Sequence, residues 1–128
     1  MDDAQFLHQF ESGTLHPFPH RDHVRMAWIY LRRDGWTHGY DLIRLGIQRF
    51  AAHHGVIKYH ETITRFWAHL IQAAIRAAPE VDDFEVFAAA NPTLFDKSII
   101  EQFYSHDLLM SEEARYNWIE PDLQDLPQ

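Results

Sequence analysis

Apolar residues recur every three or four positions along most of the chain, which is the spacing of amphipathic α-helices. In one segment, Val24, Ala27, Trp28 and Leu31 form such a stripe. Acidic or hydroxyl residues precede several of these segments and glycine or proline follows them, which predicts where each helix begins and ends. The predicted helices run from Asp2 or Asp3 to Gly13, over residues 20–34, 37–54 and 60–78, from Asp82 or Asp83 to Ala90, and over residues 94–104 and 111–118.

The predicted fold is all-α. Because the connecting loops are short, successive long helices are expected to pack antiparallel. We therefore expect an antiparallel bundle of four main helices, with shorter C-terminal helices, in a single domain of residues 1–128. Residues 120–127 are expected to form an irregular tail, and the C-terminal stretch is expected to pack on the helices through Trp118, Leu123 and Leu126.

Composition and charge narrow the possible partners. The net charge of −8 disfavours nucleic acid and anionic membranes, since both attract clustered Lys and Arg. The absence of cysteine excludes disulfides and thiolate metal ligands. The acidic N-terminus lacks the basic and apolar regions of a secretion signal, so we expect a cytoplasmic protein. We expect a small-molecule ligand or substrate, and a homodimer is compatible with the sequence.

Ten histidines are the most unusual feature of the composition. At about 100° per residue, His20 is in phase with the apolar stripe of its helix and His23 lies at the edge of that stripe. His54 falls on the inward face of the next long helix, and His60 lies at the edge of the inward face of the one after it. If these helices pack antiparallel in chain order, the four histidines come to one end of the bundle, where the loop containing His16 also lies.

A group of imidazoles at the end of a bundle suits a divalent metal ion, because histidines from neighbouring helices can share one ion. Glu61 is the candidate general base and Tyr59 a candidate for hydrogen bonding to a small ligand, so both are predicted catalytic residues. Zinc or iron is the favoured metal, and the predicted ligands are His20, His23, His54 and His60.

Each of these residues also has a purely structural interpretation. His20 and His60 stand where a side chain could cap a helix. Asp22 and Glu61 lie in the first turns of their helices, where acidic side chains complement the helix dipole, and a protonated His54 near a helix C-terminus is favourable without any ligand. The other histidines in the helices are expected at the surface: His8, His38, His53, His69 and His106.

Three segments resemble a family of small, all-helical bacterial proteins that has no assigned activity: residues 20–32 (HRDHVRMAWIYLR), 58–64 (KYHETIT) and 111–126. The resemblance spans nearly the whole chain and assigns no role to any residue. The chain is also similar in architecture to the DinB-like four-helix proteins, which hold a metal with three histidines at one end of the bundle. Their histidine spacing is not reproduced here, so this similarity favours a metal and identifies no substrate.

Three functions are consistent with these residues. The leading hypothesis is a metal-dependent enzyme that acts on a small molecule through the histidine cluster. The second is a non-catalytic helical module for ligand sensing or protein interaction, whose histidines respond to pH. The third is a metal-free lyase or isomerase that uses His60 and Glu61 as acid and base.

Overall fold

The computed structural model describes residues 1–55 and 59–127. These residues form helices, turns and irregular segments with no β-strand among them, so the prediction of an all-α protein is confirmed. The chain divides into two compact units, Met1–Tyr59 and His60–Gln128. The single domain and the antiparallel bundle of four main helices stay predictions. Within the described stretches, every helix is too short or too polar to cross a membrane.

The first unit begins with helix α1, Asp3–Glu11, which starts where the sequence predicts. The Asp2 carboxylate accepts a hydrogen bond from the Gln5 backbone N–H at 2.8 Å, and the Gln5 side chain accepts one from the Asp2 backbone N–H at 3.2 Å. This reciprocal pair satisfies donors that the first turn of a helix leaves open. The apolar face of α1 is buried against the next helix through three side chains: Phe6, Leu7 and Phe10.

Helix α2, His20–His53, is interrupted at Gly35, where φ is 77° and ψ is −176°. A positive φ of this size is accessible to glycine at little cost, so the predicted break between two helical segments is confirmed there. After the break, residues 36–53 fold back along residues 20–34. The backbone of Gly39 lies against that of Tyr30, and the ring of Phe50 lies 4.7 Å from that of Phe18, measured between ring centroids.

The second unit contains helices α3, Glu61–Ala77, and α4, Phe84–Ala90. Helix α4 starts where the sequence predicts, because the carboxylate of its N-cap, Asp83, accepts a hydrogen bond from the Val86 N–H at 3.1 Å. Two short helices follow, α5, His106–Leu109, and α6, Glu112–Tyr116. The Ser111 cap of α6 was predicted, whereas α5 and its Ser105 cap were not.

The prediction of a continuous helix over residues 94–104 is wrong. Two 3₁₀ helices occupy this region, Pro92–Phe95 and Lys97–Gln102, with Asp96 between them. The Asp96 carboxylate accepts hydrogen bonds from the Ser98 backbone N–H at 3.0 Å and from its hydroxyl at 2.7 Å. Such local side-chain bonds compete with an α-helix and restart the chain as a new, tighter helix.

The C-terminal residues pack on the core of the second unit, as predicted for Trp118 and Leu126. Leu123 is different: its side chain is 58% exposed, so the prediction that it packs inward is wrong. Its backbone is nevertheless fixed, because the Leu123 N–H donates to the Phe103 carbonyl at 2.9 Å. The core beneath this irregular segment consists of Phe66, Ile100, Phe103, Tyr104 and Leu109.

Candidate functional site

A continuous line of ring contacts crosses one end of the first unit. The His23 ring lies 4.1 Å from that of Phe18, and Phe18 lies 4.7 Å from Phe50. Phe50 in turn lies 4.4 Å from His54, whose ring is stacked on His16 at 5.2 Å with an interplanar angle of 21°. The fold-back of α2 at Gly35 brings these residues together, since Phe18 lies just before the start of α2 and His23 in its first turn, whereas Phe50 and His54 lie in its last turn and at its C-cap.

The orientation of His54 is fixed by one hydrogen bond. Its Nε2 lies 2.9 Å from the carbonyl oxygen of Gly13. Because a carbonyl oxygen only accepts, Nε2 carries the hydrogen and donates it, and Nδ1 of the neutral ring keeps its lone pair. The imidazole is half-buried at the C-terminal cap of α2. This arrangement holds one nitrogen of His54 away from the Gly13 backbone.

Gly13 also accommodates a second imidazole. Its φ of 76° favours glycine, and a Cβ atom at this position would lie 2.6 Å from Cδ2 of His53. The His53 ring therefore rests on the Gly13 backbone, 5.1 Å from the ring of His54. His53 is exposed, as predicted, and so are His8, His38 and His106. The sequence offered only one hint of this contact, the adjacent pair of histidines beside a glycine-terminated helix.

His60 stands at the start of the second unit and caps α3. Its Nδ1 accepts a hydrogen bond from the Ile63 backbone N–H at 3.1 Å, and its Nε2 donates one to the Leu109 carbonyl at 2.9 Å. Both ring nitrogens are therefore occupied by the backbone of its own unit, and a metal could bind His60 only by displacing one of these bonds. The capping role that the sequence offered as an alternative for His60 is confirmed.

We expect the substitution His60→Ala to lower the free energy of unfolding by about 1–2 kcal/mol, because it removes a helix cap and leaves the Leu109 carbonyl without its donor. His60→Asn should lose about half as much, since asparagine is a good cap but is too short to reach Leu109. Urea denaturation of the three proteins measures both losses. Equal stability of His60→Ala and the wild type would show that neither bond contributes.

The other predicted site residues are half-buried: His20, His23, Tyr59 and Glu61. His20 is the first residue of α2, whose N-cap is Pro19, and no side chain forms a capping hydrogen bond there. The structural interpretation of His20 as a helix cap is therefore wrong. Asp22 is also half-buried, and burial raises the pKa of its carboxyl, against the lowering effect of Arg25 and Arg21. The catalytic roles of Tyr59 and Glu61 stay predictions.

His69 on α3 was predicted at the surface, and that prediction is wrong. Its ring is half-buried, 5.1 Å from that of Trp118, and its Nε2 accepts a hydrogen bond from Arg65 Nε at 3.2 Å. Burial, reinforced by the charge of Arg65, lowers the pKa of His69, and Glu120 opposes this shift. The helical phase of α3 could not reveal this environment, because the cover comes from the C-terminal segment.

In the part of the chain that the structure describes, no three His, Asp or Glu side chains are arranged to hold a metal ion. His20, His23 and His54 belong to the first unit and His60 to the second, and their common role as ligands stays a prediction. No protein family, curated protein or solved structure compared with the chain gives a match. The geometry of the residues is therefore the basis for a functional proposal.

Proposed function

We propose that this chain is a helical ligand-sensing module that responds to pH through the histidines of its first unit. The observation that carries the proposal is the contact of three imidazoles, in which His54 lies 5.2 Å from His16 and 5.1 Å from His53. Histidine is the side chain that changes charge between about pH 5 and 8. The response that we propose is the mutual repulsion of two adjacent rings when both carry a charge, which costs free energy in the folded state.

The size of this cost follows from Coulomb's law. Two unit charges about 5 Å apart repel by roughly 0.8 kcal/mol in water, and by several times more where the surroundings are less polar. His16 is exposed, so the value in water applies to its pair with His54. The charged residues within five positions of these histidines in the sequence are Glu11, Arg21, Arg49 and Lys58, and Glu11 accepts a hydrogen bond from the Tyr30 hydroxyl at 2.6 Å.

The loop between α1 and α2 is the element that such repulsion would move. His16 lies in this loop and stacks on His54, which also binds the Gly13 carbonyl. Repulsion between the two charged rings weakens the contact between the loop and the end of α2. Acidification would therefore loosen residues 13–19, which is a local change of the kind that a sensor transmits to a partner or ligand.

We expect the substitution His16→Gln to reduce the loss of stability between pH 7.5 and pH 5 by at most about 0.8 kcal/mol at low salt, because a neutral side chain removes the repulsion with His54. The free energy of unfolding, measured by urea denaturation at both pH values, gives this difference. His69 is half-buried and contributes its own acid sensitivity in the second unit, so the informative quantity is the difference between variant and wild type.

His8→Gln is the matched control, since His8 is also exposed and belongs to the same unit. Its pH dependence should equal that of the wild type. Hydrogen exchange of residues 13–19, corrected for the intrinsic effect of pH, should be faster at pH 5 in the wild type and less so in His16→Gln. A pH dependence that is the same in all three proteins would refute the proposed response.

A metal-dependent enzyme acting on a small molecule is the second candidate, and His54 is the predicted ligand whose geometry supports it. The orientation of His54 favours it, because metal-binding histidines commonly donate their other ring N–H to a backbone carbonyl, as His54 does to Gly13. The metal-free lyase or isomerase has less support. A general base needs a free lone pair, and that of His60 accepts the Ile63 N–H.

A further inference from the structure

The C-terminal segment, residues 117–126, is irregular and is held on its unit by contacts along its length. The Ile119 N–H donates to the Thr62 hydroxyl at 3.2 Å, and the Leu123 N–H donates to the Phe103 carbonyl at 2.9 Å. A segment without helical hydrogen bonds of its own can open separately from the helices it covers. Whether this segment stays in place therefore depends on its contacts with the rest of the unit.

Trp118 joins the segment to α3 through two side chains that lie one helical turn apart. The guanidinium carbon of Arg65 lies 4.9 Å from the centroid of the Trp118 ring, and the His69 ring lies 5.1 Å from it, measured between centroids. A guanidinium above an indole ring is a favourable cation–π contact. Since Arg65 and His69 are four residues apart on one face of α3, any change in the contact between them also acts on Trp118.

The hydrogen bond between these two side chains requires a neutral histidine. Arg65 Nε donates to His69 Nε2 at 3.2 Å. Arginine only donates, so Nε2 keeps its lone pair and the hydrogen of the neutral ring is on Nδ1. A protonated imidazole carries a hydrogen on both nitrogens, which removes the acceptor and places a second positive charge beside Arg65. Acid thus converts an attractive contact into a repulsive one.

Two further groups act at the same place. Burial, reinforced by the charge of Arg65, lowers the pKa of His69 and outweighs the attraction of Glu120 on the segment. The Tyr104 hydroxyl donates to the Ile119 carbonyl at 2.6 Å, and burial raises its pKa, so it keeps its proton at neutral and acidic pH. Histidine is the side chain that changes charge between about pH 5 and 8, so His69 is the switching group of this cluster.

We propose that the C-terminal segment is an acid-released strap, which detaches from α3 when protonation of His69 breaks its contacts with Arg65 and Trp118. Release lets the His69 ring reach water, where the charged form is favoured, so detachment and proton uptake are coupled. It also uncovers the part of the core on which Trp118 and Leu126 pack. The strap belongs to the second unit and does not depend on the pH response proposed for the first.

The test is hydrogen exchange of the full chain, followed by NMR at pH 7.5 and pH 5 and corrected for the intrinsic effect of pH. The amides of Ile119 and Leu123 report on the strap, because release breaks their hydrogen bonds. If the released state has an ordinary histidine pKa of about 6.5, linkage increases the opening constant by at most about thirtyfold between these pH values. We expect the protection of both amides to fall by about three- to thirtyfold.

Low concentrations of urea distinguish release of the strap from unfolding of the unit, because the urea dependence of exchange increases with the surface that opening exposes. Phe66 is fully buried in α3, so its amide should be the better protected and should respond strongly to urea. Ile119 and Leu123 should exchange faster than Phe66 and respond only weakly.

His69→Gln is the informative variant, since glutamine can accept the Arg65 hydrogen bond but takes up no proton. The loss of protection at Ile119 and Leu123 on acidification should disappear in this variant, while the response of residues 13–19 should remain. His106→Gln is the matched control, because His106 is an exposed histidine of the same unit. It should keep the pH dependence of the wild type.

Three results would overturn the strap. The first is protection of Ile119 and Leu123 that does not fall between pH 7.5 and pH 5. The second is a fall that is as large in His69→Gln as in the wild type, since another group would then be responsible. The third is seen in the wild type alone: if Ile119 and Leu123 match Phe66 in protection and in urea dependence, the segment leaves only when the whole unit unfolds.

Discussion

Replacing Thr62 by valine should lower the free energy of unfolding by about 2–3 kcal/mol, although the two side chains have nearly the same shape. Thr62 on α3 is fully buried. Its hydroxyl donates to the Asn117 carbonyl at 2.6 Å and accepts from the Ile119 N–H at 3.2 Å. Valine would leave both backbone groups without this partner, and a buried polar group without a hydrogen bond costs about 1–3 kcal/mol.

The matched control for this substitution is Thr62→Ser, which keeps the hydroxyl and removes one methyl group. It should cost only about 1 kcal/mol, the value of a buried methyl group. Urea denaturation followed by circular dichroism measures both losses. Hydrogen exchange should assign the effect to residues 117–126. A valine variant as stable as the serine variant would show that the hydroxyl does not hold the C-terminal segment.

The C-terminal segment determines the environment of His69, so Thr62 also has a consequence for acid stability. The Tyr104 hydroxyl donates to the Ile119 carbonyl at 2.6 Å, and burial raises the pKa of that tyrosine. The pKa of His69 is lowered in the folded chain, so the unfolded chain takes up its proton more readily. The stability that the neutral ring contributes is complete above the ordinary histidine pKa and is lost as the pH falls below that value and through the lowered pKa of the folded chain. Thr62→Val, by loosening Trp118, should weaken this dependence.

Local signals in the sequence were sufficient for most helix boundaries. Asp2, Asp83 and Ser111 cap helices as predicted, because a side-chain oxygen next to an open backbone N–H acts within three residues. The same physics produced the error over residues 94–104, where the local bonds of Asp96 favour two 3₁₀ helices over one α-helix. Local hydrogen bonds between side chains and the backbone determine the helix boundaries in both cases. The error at Asp96 was to expect that its bonds would leave the α-helix continuous.

The candidate site depended on longer-range contacts and was predicted less completely. Helical phase placed His54 on the inward face of its helix, and the structure adds the Gly13 carbonyl that orients its ring. Helical phase could not show that both ring nitrogens of His60 form hydrogen bonds with backbone groups, because Leu109 lies 49 residues away in the chain. Helical phase also could not show that the ring of Trp118 packs on His69. Periodicity identifies which face of a helix is buried, but not which atoms meet there.

Gly39 is a second position where the fold overrides a local preference, and Gly39→Ala should lower the free energy of unfolding by about 2–3 kcal/mol. In an isolated helix the same change is favourable by about 1 kcal/mol. In the folded chain a Cβ atom at this position would lie 2.8 Å from the Tyr30 carbonyl oxygen and 3.1 Å from the Cα of Leu31. These are backbone atoms and cannot rotate away, so the two segments of α2 would have to separate.

The same substitution is therefore expected to stabilise the isolated helix and to destabilise the folded chain. A peptide of residues 36–53 should gain helix content on Gly39→Ala, as circular dichroism measures, while urea denaturation of the full chain should show lower stability. Because the approach of Gly39 to Tyr30 sets how closely residues 36–53 follow residues 20–34, the variant should also loosen the stacking of His54 on His16 at the other end of the segment. A full-length variant as stable as the wild type would contradict the close crossing at Gly39, on which the position of His54 depends.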